Sequence, residues 1–189
     1  MTGIIESTKE MFRDSRFLRK ALMIACPVAL QGMLNTVVNL VDTLMIGTLG
    51  ATAIAAVGLA NKVFFVFSLL VFGIVSGAGI LAAQFWGSGD VKNIRKVLGL
   101  SILLAVGWAV IFSVPAIALA QVVMRIFTTS RDGMERGAKY LRIAALTYPF
   151  IALTNVYVAM LRAVNRVVFP VIGSCIAIVI NICLNYVLI

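Results

Sequence analysis

The chain has 189 residues, of which 62% are hydrophobic and only 12% are charged, and its mean hydropathy is +1.08. Values this apolar exclude an ordinary soluble domain and place the chain among membrane proteins. The net charge of +9 comes from bases that flank apolar runs, which favours orientation in a bilayer and contact with lipid headgroups over nucleic-acid binding. Because a backbone in lipid must satisfy its own hydrogen bonds, we expect an all-α integral membrane protein.

Residue content also limits the chemistry. The chain has no His, which excludes zinc sites built on His and acid–base catalysis by His. The three cysteines, Cys26, Cys175 and Cys183, lie in apolar runs and form no CxxC pair, so we expect small packing residues rather than a redox or metal site. With no nucleophile–base pair in view, we predict that the protein is not an enzyme and carries no cofactor.

Hydropathy divides the chain into a polar start and five apolar runs. Residues 1–16 are predicted to be a cytosolic segment, and residues 17–189 a transmembrane bundle. Pro115 is expected to kink or end the third helix, and residues 125–142 form the most polar connection. Gly87, Gly89 and Asp90 supply turn and cap chemistry, whereas the glycines at 73–79 suggest close helix packing. The predicted helices cover about 17–46, 53–83, 92–120, 138–161 and 167–189.

The distribution of bases predicts the orientation. With a cytoplasmic N-terminus, ten of the sixteen bases fall on the cytoplasmic side, although the connection at 125–142 places five on the other side. Cytoplasmic loops are generally richer in Lys and Arg. We therefore expect a multi-pass protein of the cell (inner, cytoplasmic) membrane with its N-terminus in the cytoplasm.

The first apolar run carries an unusual polar stripe. Gln31, Asn35, Asn39 and Asp42 fall within about 80° on one helix face, close to Pro27. An acid in a hydrophobic span is costly and usually faces a cavity or a partner, so we expect the first three to line a cavity and Asp42 to bind a cation. Two alternatives stay open: the amides could be contacts between helices, and Asp42 could simply touch water at the outer interface.

The last apolar run carries a second stripe, formed by Ser174, Asn181 and Asn185. With the N-terminus inside, the first and fifth helices both run outward. Asp42 then lies ~33 Å beyond Lys20, and the two Asn lie ~22 and ~28 Å beyond Arg166. A carboxylate and two carboxamides at similar heights could form a site for H⁺ or Na⁺. We predict no metal site other than this one.

Several stretches, in order and spacing, resemble the multidrug and toxic compound extrusion (MATE) family. They are PVALQ, VDTLMIGTLGATAIAAVGLAN, GAGILAAQFWGSGD, YLRIAAL, MLRAVN and NICLNYVLI, and together they cover residues 27–189. The resemblance implies a twelve-helix transporter whose two six-helix lobes enclose a cleft. It would export cationic or amphipathic, drug-like compounds in exchange for H⁺ or Na⁺, and this chain resembles its N-terminal lobe.

The same resemblance implies roles for individual residues. Asp42 matches a membrane-embedded acid that couples transport to a cation, Asn181 matches an amide of the same pocket, and Pro27 matches a proline at which the first helix bends. Asn185 falls where some members carry a second Asp, so a relay of two carboxylates is not expected. Around Arg162, Ala163 and Asn165 replace the family's usual glycines.

The number of predicted helices is smaller than the family pattern requires. Five predicted helices, rather than six, lead us to expect a fragment of an N-terminal lobe, whose partners would be the lipid bilayer and the missing second lobe. The alternatives are a lobe of a lipid-linked oligosaccharide flippase of related architecture and a membrane remnant that does not transport.

Overall fold

The computed structural model describes residues 15–47, 50–128 and 130–188, and almost all of these residues are helical. No strand occurs among them. Most of the predicted cytosolic segment, residues 1–14, lies outside the described residues. The described residues form six helices: α1 (Ser15–Gly47), α2 (Ala51–Gly87), α3 (Val91–Ala118), α4 (Ala120–Phe127), α5 (Arg131–Ala163) and α6 (Val168–Leu188).

Four of these helices are long and apolar enough to cross a bilayer: Ala25–Met45 within α1, Ile54–Gly87 within α2, and the whole of α3 and α5. The apolar run Val168–Leu184 of α6 is shorter. The expected fold class, an all-α membrane protein, is confirmed.

The structure differs from the sequence prediction around residues 115–138. Pro115 lies inside α3, which ends at Ala118, and the short helix α4 follows directly. α5 begins at Arg131, earlier than the predicted start at 138. The polar stretch is helical because Ser130 caps it and because charged side chains pair one turn apart, Asp132 with Arg136 at 3.0 Å among them.

The chain divides into two compact units. One consists of the residues up to Leu40 together with Asn165–Ile189, and so contains most of α1 and all of α6. The other, Val41–Val164, contains the end of α1 and helices α2–α5.

The second unit is held together by stripes of small side chains. On α3, Ser101, Ala105, Ala109 and Ser113 follow one another at every fourth position and are all buried. Small residues allow helices to approach closely in lipid, where packing replaces the hydrophobic effect. The glycines expected to do this at 73–79 do not: of that stretch only Ala78 is buried, and a Cβ added at Gly73 or Gly77 would meet no atom within 4 Å in the described part of the chain.

One turn keeps its predicted residues, and another uses Asn in place of glycine. Asp90 caps α3 by accepting a hydrogen bond from the Asn93 amide at 3.1 Å, and Gly89 has the positive φ of 74° that glycine tolerates. After α5, Asn165 has a φ of 58°. Asn is the residue after Gly that enters this left-handed region most easily, so it can replace the expected glycine.

Candidate functional site

The polar stripe on α1 begins with a contact between helices. Gln31 is only 6% exposed, and its side-chain amide donates hydrogen bonds to the Ser174 hydroxyl at 2.5 Å and to the Pro170 carbonyl at 3.4 Å. Both acceptors lie on α6, within the first unit. A buried amide in an apolar span needs such partners, so Gln31 joins α1 to α6, as the alternative interpretation of the stripe predicts.

The next members of the stripe are exposed. The side chains of Asn35 and Asn39 are both accessible, and Asn39 also makes a contact or electrostatic interaction with another residue. Pro27 lies inside α1 and is half-buried. Because proline donates no backbone hydrogen bond, the helix lacks one internal bond there, which makes that turn the easiest place for α1 to bend.

Asp42 belongs to the second unit and is half-buried near the end of α1. Its charge acts on the phenol of Tyr140, which projects from α5 and is 39% exposed. The acid that α1 carries therefore exerts an electrostatic effect on a phenol of α5 within the same unit. Tyr140 was missed by sequence reasoning, although its spacing of seven from Thr147 places both on one face of α5.

A cavity of about 190 Å³ opens beside Tyr140, between α2 and α5. Oxygen atoms in its wall come from the Asn61 amide and from the hydroxyls of Tyr140, Thr147 and Tyr148. Tyr148 is 1% exposed, and its hydroxyl finds no hydrogen-bond partner in the described part of the chain. A buried hydroxyl without a partner costs about 1–3 kcal/mol, so this group is an unfavourable feature of the core as it stands. Apolar side chains complete the cavity: Ala60, Phe64, Ala144 and Ile151.

The amides of α6 belong to the first unit. Asn181 is half-buried and has an interaction of its own, whereas the side chain of Asn185 lies outside the described residues. A pocket shared by these amides and Asp42 stays a prediction from helix geometry.

A second cavity, of about 430 Å³, lies between α2 and α5. Its wall is largely apolar, with Ser68, Asn155 and Arg162 as the polar members, which suits an amphipathic guest. Asn155 and Arg162 share this wall, but Tyr148, also seven residues away from Asn155, lies in the core. A spacing of seven drifts by about 20° per step around an α-helix, which separates the three positions.

Comparison with known proteins gives a consistent result. The MatE family profile matches residues 27–187. A protein of Bradyrhizobium diazoefficiens named probable multidrug resistance protein NorM is 32% identical over 183 residues, which span 90% of this chain and 36% of that protein. The NorM of Thermotoga maritima is 29% identical over 91% of this chain and 37% of its own length. The chain thus spans little more than a third of these relatives.

Two further matches extend the comparison. A protein of Shewanella oneidensis named FAD transporter is 24% identical over 78% of this chain and 32% of its own length. Among solved structures, a MOP superfamily transporter from Pyrococcus furiosus, described as having a binding pocket of reversed polarity, superimposes with a TM-score of 0.77. It is 24% identical over 89% of this chain and 38% of that one, and it supports the fold.

Proposed function

The chain belongs to the MatE family, and from that premise we propose that it forms part of the N-terminal lobe of a secondary multidrug exporter. In this proposal the complete transporter exchanges cationic or amphipathic compounds for H⁺ or Na⁺. The family consists of membrane transporters rather than enzymes, and its relatives include proteins named for multidrug resistance. The four membrane-capable helices agree with a multi-pass membrane protein.

The observation that carries the proposal is a half-buried acid near the end of a membrane helix, Asp42, in the same compact unit as a cavity lined by four polar residues. An acidic side chain within a membrane helix is energetically unfavourable, and such residues usually face a cavity or pair with another group. A carboxylate can take up a proton, and together with hydroxyl and amide oxygens it can bind Na⁺, which is a hard cation. Asp42 is the residue that we propose binds the coupling ion, with Asn181 and Asn185 as further oxygen donors.

The remaining members of the stripe have lesser roles in this proposal. Exposed Asn35 and Asn39 line the path to the ion site, Gln31 holds α1 against α6, and Pro27 is the turn at which α1 bends. We further propose a cytoplasmic N-terminus in the inner membrane, from the bias of bases. A second lobe would complete the cleft, since the chain covers 36% of the Bradyrhizobium relative and 37% of the Thermotoga one.

Ion binding can be tested on the 189-residue chain in lipid nanodiscs. Radioactive Na⁺ binding and proton uptake, followed with a pH-sensitive dye, would be compared between wild type and Asp42→Asn. Asp90→Asn makes the same chemical change at a helix cap, where Asn serves as well as Asp, and is the matched control. We expect binding of one of the two ions, lost in Asp42→Asn and kept in Asp90→Asn; undiminished binding in Asp42→Asn would exclude the role of this carboxylate.

Transport requires both lobes, so the chain would be joined to the C-terminal part of the Thermotoga relative and placed in liposomes. We expect export of a cationic dye such as ethidium, driven by an ion gradient and absent in Asp42→Asn. The Shewanella relative makes FAD the informative second substrate. Export of FAD without export of the dye would overturn the proposed substrate class.

A further inference from the structure

The short helix α4 has three different faces. Ala120 and Met124 are fully buried against the rest of the second unit. Gln121 and Arg125 line a cavity, and Val122 and Ile126 are 55% and 77% exposed. Each pair is spaced by four residues, so each forms one stripe along the helix. α4 therefore presents a packed face, a polar face and an apolar face turned away from the protein.

The cavity beside the polar face has a volume of about 560 Å³ and lies between α4 and the first turns of α5. Four of its lining residues are basic and one is acidic, which leaves a net charge of +3. The full lining is Gln121, Arg125, Arg131, Met134, Glu135, Ala138, Lys139 and Arg142.

Most of the positive charge of this cavity has no ion-pair partner among the described residues. Lys139 pairs with Glu135 at 3.0 Å. Arg125, Arg131 and Arg142, in contrast, make no ion pair with any residue that the structure describes. Three arginines line this cavity, so it attracts an anion, and the planar donors of a guanidinium group match the oxygen atoms of a phosphate.

The position of the cavity limits the choice of anion. α3, which can span a bilayer, ends at Ala118, and α4 begins two residues later. With α3 spanning a bilayer, the cavity would lie near the edge of the hydrocarbon layer, at the end of α3 opposite the bases of its first turns, Lys92, Arg95 and Lys96. At this height, the exposed Val122 and Ile126 can contact acyl chains while the arginines of the cavity reach the headgroup region.

We propose that this cavity binds the phosphate of an anionic membrane lipid. The guanidinium groups of Arg125, Arg131 and Arg142 hold the headgroup, and an acyl chain lies along Val122 and Ile126. Free phosphate would use the same arginines, but it would gain nothing from the apolar stripe. The site is separate from Asp42 and Tyr140, and it does not depend on the proposed ion exchange.

Native mass spectrometry of the full chain tests the headgroup contact. Phosphatidylglycerol and phosphatidylcholine would be added in turn to the detergent-purified protein, and bound lipid would be counted. We expect preferential retention of phosphatidylglycerol, weakened at least roughly fivefold by each of Arg125→Gln, Arg131→Gln and Arg142→Gln, because each variant removes a charged hydrogen bond to the phosphate. Arg136→Gln, an exposed arginine of α5 outside the cavity, is the matched control, and Arg142→Lys should recover part of the loss.

A second pair of variants separates the lipid from free phosphate. Ile126→Ser shortens the apolar stripe, and Ile143→Ser makes the same change at a site on α5 that is 70% exposed. We expect Ile126→Ser, but not Ile143→Ser, to weaken phosphatidylglycerol binding, and millimolar inorganic phosphate not to displace the lipid. Equal retention of both lipids, an equal effect of Arg136→Gln, or displacement by inorganic phosphate would each overturn the proposal. Circular dichroism would verify that each variant stays helical.

Discussion

The rings of Phe67 and Tyr148 stack in the middle of the second unit, with centroids 4.5 Å apart and planes inclined by only 10°. Phe67 is fully buried and Tyr148 is 1% exposed. Phe64 and Phe112 surround the pair, with centroids 5.7 and 6.3 Å from the Tyr148 ring. The stack joins α2 to α5 and Phe112 adds α3, so one aromatic cluster fixes three membrane helices. Aromatic pairs of this kind contribute about 0.5–1.5 kcal/mol beyond the area that they bury.

Phe67→Ala should be among the most damaging substitutions in the unit. The change removes a whole ring from a closed core, for which losses of about 3–5 kcal/mol in the free energy of unfolding are typical. Phe72→Ala on the same helix removes a ring that is 71% exposed and should cost far less. Unfolding by sodium dodecyl sulfate, followed by circular dichroism, measures both, and equal losses would show that the stack is not a centre of stability.

Tyr148→Phe removes the hydroxyl group and keeps the aromatic ring. This group is buried without a partner among the described residues, so its removal should leave stability unchanged or raise it by up to about 1–3 kcal/mol. If the hydroxyl instead binds the guest of the adjacent cavity, Tyr148→Phe should weaken ion binding in the nanodisc assay while stability holds. A clear loss of stability without ligand would mean that the hydroxyl has a structural partner.

The helical fold could be predicted because apolar runs in a bilayer leave the backbone few alternatives. The prediction was least accurate between residues 115 and 138, where the chain is helical although much of its sequence is polar. α4 is short, and the first turns of α5 are polar, held by the Ser130 cap and by pairs such as Lys139 with Glu135. These local interactions stabilise a helix in a polar sequence. A prediction of membrane spans from hydropathy therefore does not detect them.

The candidate site could be predicted only in part, for a different reason. A polar stripe shows which residues share a helix face but not which neighbour that face meets. Gln31 therefore proved to be a contact with Ser174, and Asp42 acts electrostatically on Tyr140, a residue that no stripe contained. Contacts between helices that are far apart in sequence depend on how the helices pack, and the sequence of a single helix does not determine that packing.

A double-mutant cycle would measure the contact between Gln31 and Ser174. Each of Gln31→Ala and Ser174→Ala should destabilise the pairing of α1 with α6, and their coupling energy should be about 0.6 kcal/mol, the average for hydrogen bonds between membrane helices. Asn35→Ala, at an exposed position one turn along α1, is the control and should show no coupling to Ser174→Ala. Zero coupling for Gln31 would favour its predicted role in lining a cavity.

The cap of α3 offers a test at the membrane surface. Asp90 accepts hydrogen bonds from the Asn93 amide at 3.1 Å and from its side chain at 2.6 Å. Asp90→Ala should therefore cost about 1 kcal/mol in unfolding free energy, whereas Asp90→Asn should cost much less. Lys92→Ala, at an exposed position in the first turn of α3, is the control. A similar loss in Asp90→Asn would assign the effect to charge rather than to capping.

Gly137 is predicted to be the glycine least tolerant of a side chain among those described. A Cβ added there would collide with the end of the Met124 side chain and would lie 3.6 Å from the Ala56 carbonyl oxygen. Met124 is fully buried, so the end of its flexible side chain would have to repack within the core. Gly137→Ala should therefore cost about 1–3 kcal/mol despite a gain of about 1 kcal/mol in helix propensity.

The matched control is Gly73→Ala, because an added methyl group meets no atom within 4 Å there and only the propensity gain should remain. Thermal unfolding in detergent would compare the two variants. Met124→Ala should itself be destabilising, yet Gly137→Ala should cost less in that background, because the colliding group is gone. If the cost of Gly137→Ala is the same with and without Met124, the collision does not govern this site, and the close approach of α5 to α2 at Ala56 must do so instead.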